Sequence, residues 1–115
     1  MQSYKELTVW QKSLDLVEEI YIITSQLPKS EVFGLSSQMQ RAAVAISSNI
    51  AEGAKRNHKL EFIQFLSIAN GSAAELETQL LIAKRIYKNI TIENALNLVE
   101  EILKMLHSLI HSLKK

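Results

Sequence analysis

Two carboxylates, Glu52 and Glu75, and the polar side chains near them are the residues of this chain best suited to chemistry. If the segments that carry them are helices joined by a hairpin near Asn57, Arg41 and Glu75 lie at about the same height. The whole set comprises Arg41, Asn49, Glu52, Ser72, Glu75 and Gln79. A catalytic constellation would need a nucleophile with its base or a phosphate loop, and neither accompanies the set. Because unpaired buried polar groups cost about 1–3 kcal/mol each, we predict a structural polar seam that fixes helix register.

Metal and cofactor chemistry finds little support in the sequence. A carboxylate di-metal site in a helical bundle needs inward-facing Glu-x-x-His pairs, and the sequence has none. His107 and His111 are four residues apart, but no third ligand is evident, so we expect both to be solvated. The chain has no cysteine and no P-loop, GxSxG, HExxH or GxGxxG motif. We therefore expect no catalytic residue, no metal, no cofactor and no enzyme activity.

Positive charge is clustered in this sequence rather than abundant. Lysine and arginine total 13 and aspartate and glutamate 12, so the net charge of +1 gives no global argument for nucleic acid or membrane. In a bundle of alternating helices, the junction after the second helix lies at the same end as both termini. That end would gather Lys5, Lys55, Arg56, His58, Lys59, Lys114 and Lys115. The cluster either serves solubility and helix C-termini or binds a polyanion, with Lys55, Arg56, Lys59, Lys114 and Lys115 as the candidate nucleic-acid contacts.

Four amphipathic helices must position these residues. Only three glycines and one proline occur in 115 residues, which favours long helices over a turn-rich β fold. Apolar residues spaced by three and four predict helices over 8–26, 36–55, 59–88 and 91–115, with Thr91 as the N-cap of the last. We predict an all-α, antiparallel up-down-up-down four-helix bundle in a single domain, residues 1–115.

The first and fourth helices carry more apolar surface than one bundle needs. In the first, we place Trp10, Leu14, Val17, Tyr21 and Thr24 on the core side, flanked by a second stripe of Val9, Leu16, Ile20, Ile23 and Leu27. In the fourth helix, further apolar residues lie beside the central apolar stripe. Such wide arcs indicate either a generously packed core or an interface. We expect a homo-oligomer with Leu16, Ile20, Ile23, Leu98, Ile102, Met105 and Leu109 as interface candidates.

The cellular compartment is predicted from three features. The N-terminal sequence lacks the basic-then-apolar pattern of a signal peptide. No apolar run approaches the about 20 residues that span a bilayer. Together with the lack of cysteine, these features lead us to expect a cytoplasmic protein without membrane association.

Four motifs in fixed order, "FGL", "QRAA", "NIAEG" and "GSAAELE", carry a family resemblance. The chain resembles the bacterial four-helix bundle proteins named after open reading frames in intervening sequences of large-subunit ribosomal RNA genes, over nearly its whole length. The residues that match the family's motifs are Arg41, Asn49, Glu52, Gly53, Gly71, Ser72, Glu75 and Glu77. The family has no established catalytic assignment for them.

The resemblance implies a homopentamer that is not an enzyme and whose cellular role is largely unknown. The family is similar in fold to the accessory variability determinant of diversity-generating retroelements, which binds nucleic acid and a reverse transcriptase. We therefore expect an oligomeric binding or scaffolding module, with structured RNA as the first ligand to test and DNA or a nucleic-acid enzyme as further partners. The alternative is a protein–protein assembly partner that binds no nucleic acid.

Overall fold

Four α-helices form most of the chain in the computed structural model, which describes residues 3–115. They are α1 (Thr8–Ser25), α2 (Leu35–Lys55), α3 (Lys59–Ile86) and α4 (Glu93–Leu113), with short 3-10 helices at Tyr4–Glu6 and Lys29–Glu31. Residues 3–115 contain no β-strand. The all-α class is therefore confirmed, and each predicted helix end falls within two residues of the observed one.

The connection before α2 depends on a close approach between Gly34 and Glu31. The Glu31 carboxylate accepts a hydrogen bond from the backbone N–H of Leu35 at 3.2 Å, and so caps the start of α2. A Cβ at Gly34 would lie 2.9 Å from the same carboxylate. The glycine thus leaves the space that the capping side chain occupies.

The predicted cap of the fourth helix is wrong. Ile92, not Thr91, directly precedes α4, and its N–H donates to the Glu93 carboxylate at 2.9 Å. The Thr91 N–H instead donates to the side-chain oxygen of Gln26 at 3.3 Å, beyond the end of α1. The Glu93 side chain in the first turn therefore accepts from the Ile92 N–H at the start of the helix. The Thr91 N–H is already used in the contact with Gln26.

Each helix packs against two others. α1 and α3 both lie next to α2 and α4, while within residues 3–115 the backbones of α1 and α3, and those of α2 and α4, do not approach closely. All four helices contribute to one core, whose largest fully buried side chains are Leu16, Ile20, Ile23, Met39, Ile46, Ile50, Leu66, Leu76, Leu80, Val99, Ile102 and Leu106. Burying each such side chain stabilises the fold by about 1.5–3 kcal/mol.

The face of α1 that meets the core differs from the predicted one. Leu16 and Ile20 are fully buried, whereas Leu14 and Tyr21 are 40% and 51% exposed. Both stripes repeat with the helical period, so the spacing does not indicate which stripe is buried. The chemical nature of the side chains decides which one faces the core. The buried stripe is aliphatic, while Tyr21 on the other stripe carries a hydroxyl that hydrates readily at the surface.

Polar contacts fix the helix ends and the connection between α3 and α4. The Lys84 ammonium donates to the carbonyls of Lys88 and Ile90, at 2.9 Å and 2.6 Å.

The molecule measures 44 × 21 × 20 Å. None of the helices within residues 3–115 combines the length and apolarity required to cross a membrane.

Candidate nucleic-acid interface

The connection between α2 and α3 carries three of the candidate cations. Lys55 is the last residue of α2, Arg56 follows it, and Lys59 is the first residue of α3. All three are exposed, as are Lys114 and Lys115 at the end of the chain. No carboxylate within residues 3–115 pairs with Lys55 or Lys59. Their ammonium groups are therefore accessible to a ligand.

Arg56 differs from these lysines because it is held by its own protomer. Its guanidinium lies 3.3 Å from the Glu52 carboxylate and 4.0 Å from that of Glu61. It also stacks over the Phe65 ring, 5.0 Å from the centroid. The side chain thus bridges α2 and α3, and two carboxylates offset its charge.

Gly53 explains how the two helices come so close beside this connection. A Cβ at this position would lie 2.6 Å from the Cβ of Phe65 and 3.1 Å from the ring of Phe62. Real Cβ atoms essentially never approach another heavy atom within 3.0 Å, so Gly53 permits this close approach of α2 and α3.

A second set of polar residues lies along a cleft between the N-terminal 3-10 helix and α2. Its lining residues are Ser3, Tyr4, Lys5, Ser48, Ala51, Glu52 and Lys55, and its volume is about 600 Å³. The Tyr4 ring packs edge-on against Trp10, with ring centroids 5.2 Å apart. The sequence predicts Lys5 at the basic end but does not indicate Tyr4, because nothing in the sequence pairs the first residues with α2.

The predicted polar seam does not form as a hydrogen-bonded network. Within residues 3–115 no hydrogen bond joins any two of its members. Asn49 donates to the carbonyl of Ala45 in its own helix at 2.8 Å, and Glu52 pairs with Arg56. The prediction is wrong because side chains at the edge of a helix reach their own backbone or solvent more easily than the neighbouring helix.

Burial separates the remaining members of the set. Arg41 and Glu75 are exposed and line the same cleft between α2 and α3, of about 400 Å³, which agrees with their predicted common height. Ser72 is half-buried. Gln79 is the only buried member, 6% exposed, and its side-chain oxygen has no partner within residues 3–115.

Two other polar pairs connect α1 to α2. Ser13 donates to the Trp10 carbonyl at 2.6 Å, so the buried contact of 2.8 Å between its Oγ and that of Ser47 has Ser47 as donor. Gln40 donates to the Thr24 hydroxyl at 3.1 Å. Small hydroxyl residues within apolar stripes are the signal that could have identified the serine pair.

Four of the predicted interface residues are unavailable to a second protomer. Leu16, Ile20 and Ile102 are fully buried and Ile23 is 1% exposed, so these assignments are wrong. Their apolar arcs are wide because α1 and α4 each pack against two helices of the same chain. The other three candidates, Leu98, Met105 and Leu109, are half-buried and pack against the core.

Large apolar side chains are exposed elsewhere on the protomer. Besides Leu14 and Tyr21, the exposed set is Ile22, Val32, Phe33, Val44, Leu60, Ile68, Leu81, Ile82 and Ile86. Five of these lie on α3. Phe33, at 97% exposure, is in the connection before α2. Exposed apolar groups are therefore concentrated on α1, α3 and that connection rather than on α4.

At the end with the connection before α2, Glu31 and Tyr87 are linked directly. The Tyr87 phenol donates to the Glu31 carboxylate, joining this connection to the end of α3. That hydrogen bond, assisted by the Leu35 N–H, lowers the pKa of Glu31. The same hydrogen bond raises the pKa of Tyr87.

Between α1 and α4, Lys12 and Glu101 form an ion pair with a nitrogen–oxygen distance of 2.9 Å. The hydrogen bond to Glu101 raises the pKa of Lys12. His107 and His111 are both exposed on α4, as predicted. In the part of the chain that the structure describes, no three histidine or carboxylate side chains are grouped to hold a metal ion.

The chain is similar to known proteins both in sequence and in fold. Residues 5–108 match the family described as 23S rRNA-intervening sequence protein. A solved structure from Bacteroides thetaiotaomicron, a protein with unknown function from the S23 ribosomal protein family, is 31% identical and superposes with a TM-score of 0.80. The match covers 90% of this chain and 98% of that one. A search of curated proteins gives no match.

Proposed function

The chain belongs to the 23S rRNA-intervening sequence protein family, and on this basis we propose that it is a non-enzymatic, homo-oligomeric binding or scaffolding module whose first ligand is structured RNA. The observation that carries the proposal is the set of large apolar side chains exposed on the protomer. Single exposed apolar residues are ordinary, but grouped ones usually mark an interface. The number of protomers, five, comes from the family resemblance alone.

The outer side of α3 supports this proposal most directly. Ile68, Ile82 and Ile86 are 53%, 44% and 59% exposed and, with spacings of fourteen and four, lie on one side of the helix. Gly71 lies close to that side, and a Cβ there would have no atom within 4 Å. Glycine in a helix costs about 1 kcal/mol relative to alanine, and nothing in the protomer requires it. Close approach by a neighbouring protomer would give the glycine a role.

We further infer that the four helices alternate in direction. Gln26 after α1 contacts Thr91 before α4, and Glu31 before α2 contacts Tyr87 after α3. At the other end, Lys5 before α1 and Lys55 at the end of α2 line one cleft. An alternating arrangement satisfies all three pairings and brings the C-terminal Lys114 and Lys115 to the end with Lys55 and Lys59.

RNA is supported as ligand by this concentration of accessible lysines. A ring of protomers would repeat the basic end around its axis, so that many weak phosphate contacts act together. The description of the family, which refers to 23S rRNA, is consistent with such a ligand. DNA and a nucleic-acid enzyme are further partners within the same proposal, and the cytoplasm is the proposed compartment.

The test is a mass measurement of the native assembly combined with titration of a labelled structured RNA at low and moderate salt. Lys55→Glu/Lys59→Glu should weaken binding at least tenfold and flatten its salt dependence, since each phosphate contact contributes to the salt slope. Arg56 is left intact because it bridges α2 and α3. Lys29→Glu/Lys88→Glu is the matched control. A monomer of 13.0 kDa, or equal effects of both variants, would contradict the proposal.

A second candidate function is assembly with another protein without nucleic acid. The observation in its favour is Phe33, which is 97% exposed although the connection that carries it is held by Glu31. An exposed aromatic side chain on a fixed connection can bind an apolar pocket with little loss of conformational entropy. An oligomer that binds no RNA at low salt would favour this alternative.

A further inference from the structure

The cleft lined by Tyr4, Lys5, Ser48 and Lys55 has the composition of a site for one nucleotide. It lies between the 3-10 helix Tyr4–Glu6 and the second half of α2, and its volume of about 600 Å³ is within the range of small-molecule sites. The backbone on its N-terminal side is fixed at two points. The Ser3 hydroxyl accepts from the Lys5 N–H at 3.1 Å, and Gln11 donates to the Lys5 carbonyl at 2.9 Å.

The two lysines come from different elements and line the same cleft. Within residues 3–115 neither Lys5 nor Lys55 has a carboxylate partner within 4.0 Å. The Ser48 hydroxyl, on the exposed side of α2, adds a neutral donor. Two ammonium groups with a hydroxyl are suited to a phosphate, whose oxygens only accept hydrogen bonds.

Tyr4 and Glu52 supply what a nucleotide requires beyond its phosphate. The Tyr4 ring is half-buried, and its edge-on contact with Trp10 limits its rotation. An aromatic side chain beside a basic groove is the usual arrangement for stacking an unpaired base. Among residues 3–115, Glu52 supplies the one carboxylate that lines the cleft, and it accepts a hydrogen bond from Arg56 at 3.3 Å.

We infer that this cleft binds one unpaired ribonucleotide, with its phosphate between Lys5 and Lys55, its base against Tyr4 and its 2′-hydroxyl donating to Glu52. The inference rests on the RNA binding proposed above and specifies the part of the RNA that is recognised. A base inside a duplex has both faces covered, so stacking on Tyr4 selects a loop, a bulge or a single strand. A deoxyribose lacks the hydroxyl that Glu52 would accept.

Fluorescence anisotropy with labelled oligouridine, oligothymidine of equal length and an RNA duplex tests the inference on the full chain. The wild type should bind oligouridine more tightly than the other two. Tyr4→Ala should weaken oligouridine binding about tenfold, because the base loses the aromatic ring on which it stacks, and Tyr4→Phe should retain it. Lys5→Gln should weaken it and reduce the salt slope by about one.

Two further variants test the role of Glu52 and provide the control for Lys5→Gln. Glu52→Gln should bring the affinities for oligouridine and oligothymidine closer together. Lys29→Gln, an exposed lysine in the other 3-10 helix, should change nothing and is the matched control for Lys5→Gln. Circular dichroism checks folding, because Tyr4 packs on Trp10. If Tyr4→Ala does not fold, Lys5→Gln decides the outcome against its control Lys29→Gln.

The outcomes separate this inference from the proposed function. If the wild type binds structured RNA while Tyr4→Ala and Lys5→Gln bind as tightly as the wild type, the cleft is not the site and the proposed function stands. If the wild type binds none of the nucleic acids, both fail. Equal wild-type affinity for oligouridine and oligothymidine overturns the role of Glu52.

Discussion

At the scale of single residues, Glu31 joins two helices through one carboxylate. Its carboxylate accepts from the Tyr87 phenol and from the Leu35 N–H, and it occupies the space that a side chain at Gly34 would fill. One acidic residue therefore caps α2, joins it to the end of α3 and lies against the glycine of the "FGL" motif. The sequence showed the motif but not this role, because Tyr87 is 56 residues away.

The hydrogen bond between Glu31 and Tyr87 predicts how stability depends on pH. The pKa of Glu31 is lowered in the fold, so its contribution is present above the ordinary value of 4.5 and is lost as pH falls through the folded value. The pKa of Tyr87 is raised, so its contribution is complete below 10.0 and is lost as pH rises through the folded value. Melting temperatures of the wild type and Tyr87→Phe, measured across pH, should differ most at neutral pH and converge in acid. Parallel curves would contradict this assignment.

At the scale of helices, the sequence determined where the elements lie better than how they face one another. The spacing of apolar residues by three and four located all four helices. The spacing could not indicate which of the two apolar stripes of α1 is buried, since the stripe that contains Leu14 and the stripe that contains Ile20 repeat with the same period. It also could not indicate that Asn49 hydrogen-bonds its own helix while Ser13 and Ser47 pair across the interface. Such outcomes depend on the rotation of each helix, which only tertiary packing sets.

Within residues 3–115, α3 carries a buried polar group without a partner, which predicts a stabilising substitution. The side-chain oxygen of Gln79 is buried without a partner within residues 3–115, at a cost of about 1–3 kcal/mol. Gln79→Met keeps a side chain of similar size and length without that polar atom. It should raise the free energy of unfolding in urea by about 1 kcal/mol. Gln64→Met, at an exposed position of the same helix, is the control and should have little effect.

At the scale of the whole molecule, apolar side chains remain at the surface after the core is complete. The core uses the aliphatic faces of all four helices, and the exposed residues of α1 and α3 are additional to it. The sequence predicts a surplus of apolar surface, but most of the residues that it indicates are buried within the protomer. Identifying the exposed residues required knowledge of which helices are neighbours, which the sequence does not supply.

Gly71→Ala distinguishes protomer stability from assembly. In the isolated protomer a Cβ at this position meets no atom, so alanine should stabilise α3 by about 1 kcal/mol. If α3 contacts another protomer here, the same methyl group should weaken the assembly. Sedimentation over a range of protein concentrations should show easier dissociation of the variant, and urea denaturation at high dilution should show greater stability. An assembly as tight as that of the wild type would exclude Gly71 from the contact.

Gly71 also has a consequence for the dynamics of α3. This helix has 28 residues, about 42 Å, and the glycine lies near its middle. Backbone freedom is greatest at glycine, so within the interior of α3 local opening without global unfolding is easiest at Gly71. Amide hydrogen exchange should therefore be faster around Gly71 than in the neighbouring interior turns of α3. A partner covering this surface would slow that exchange, which makes the native glycine a reporter of binding that requires no mutation.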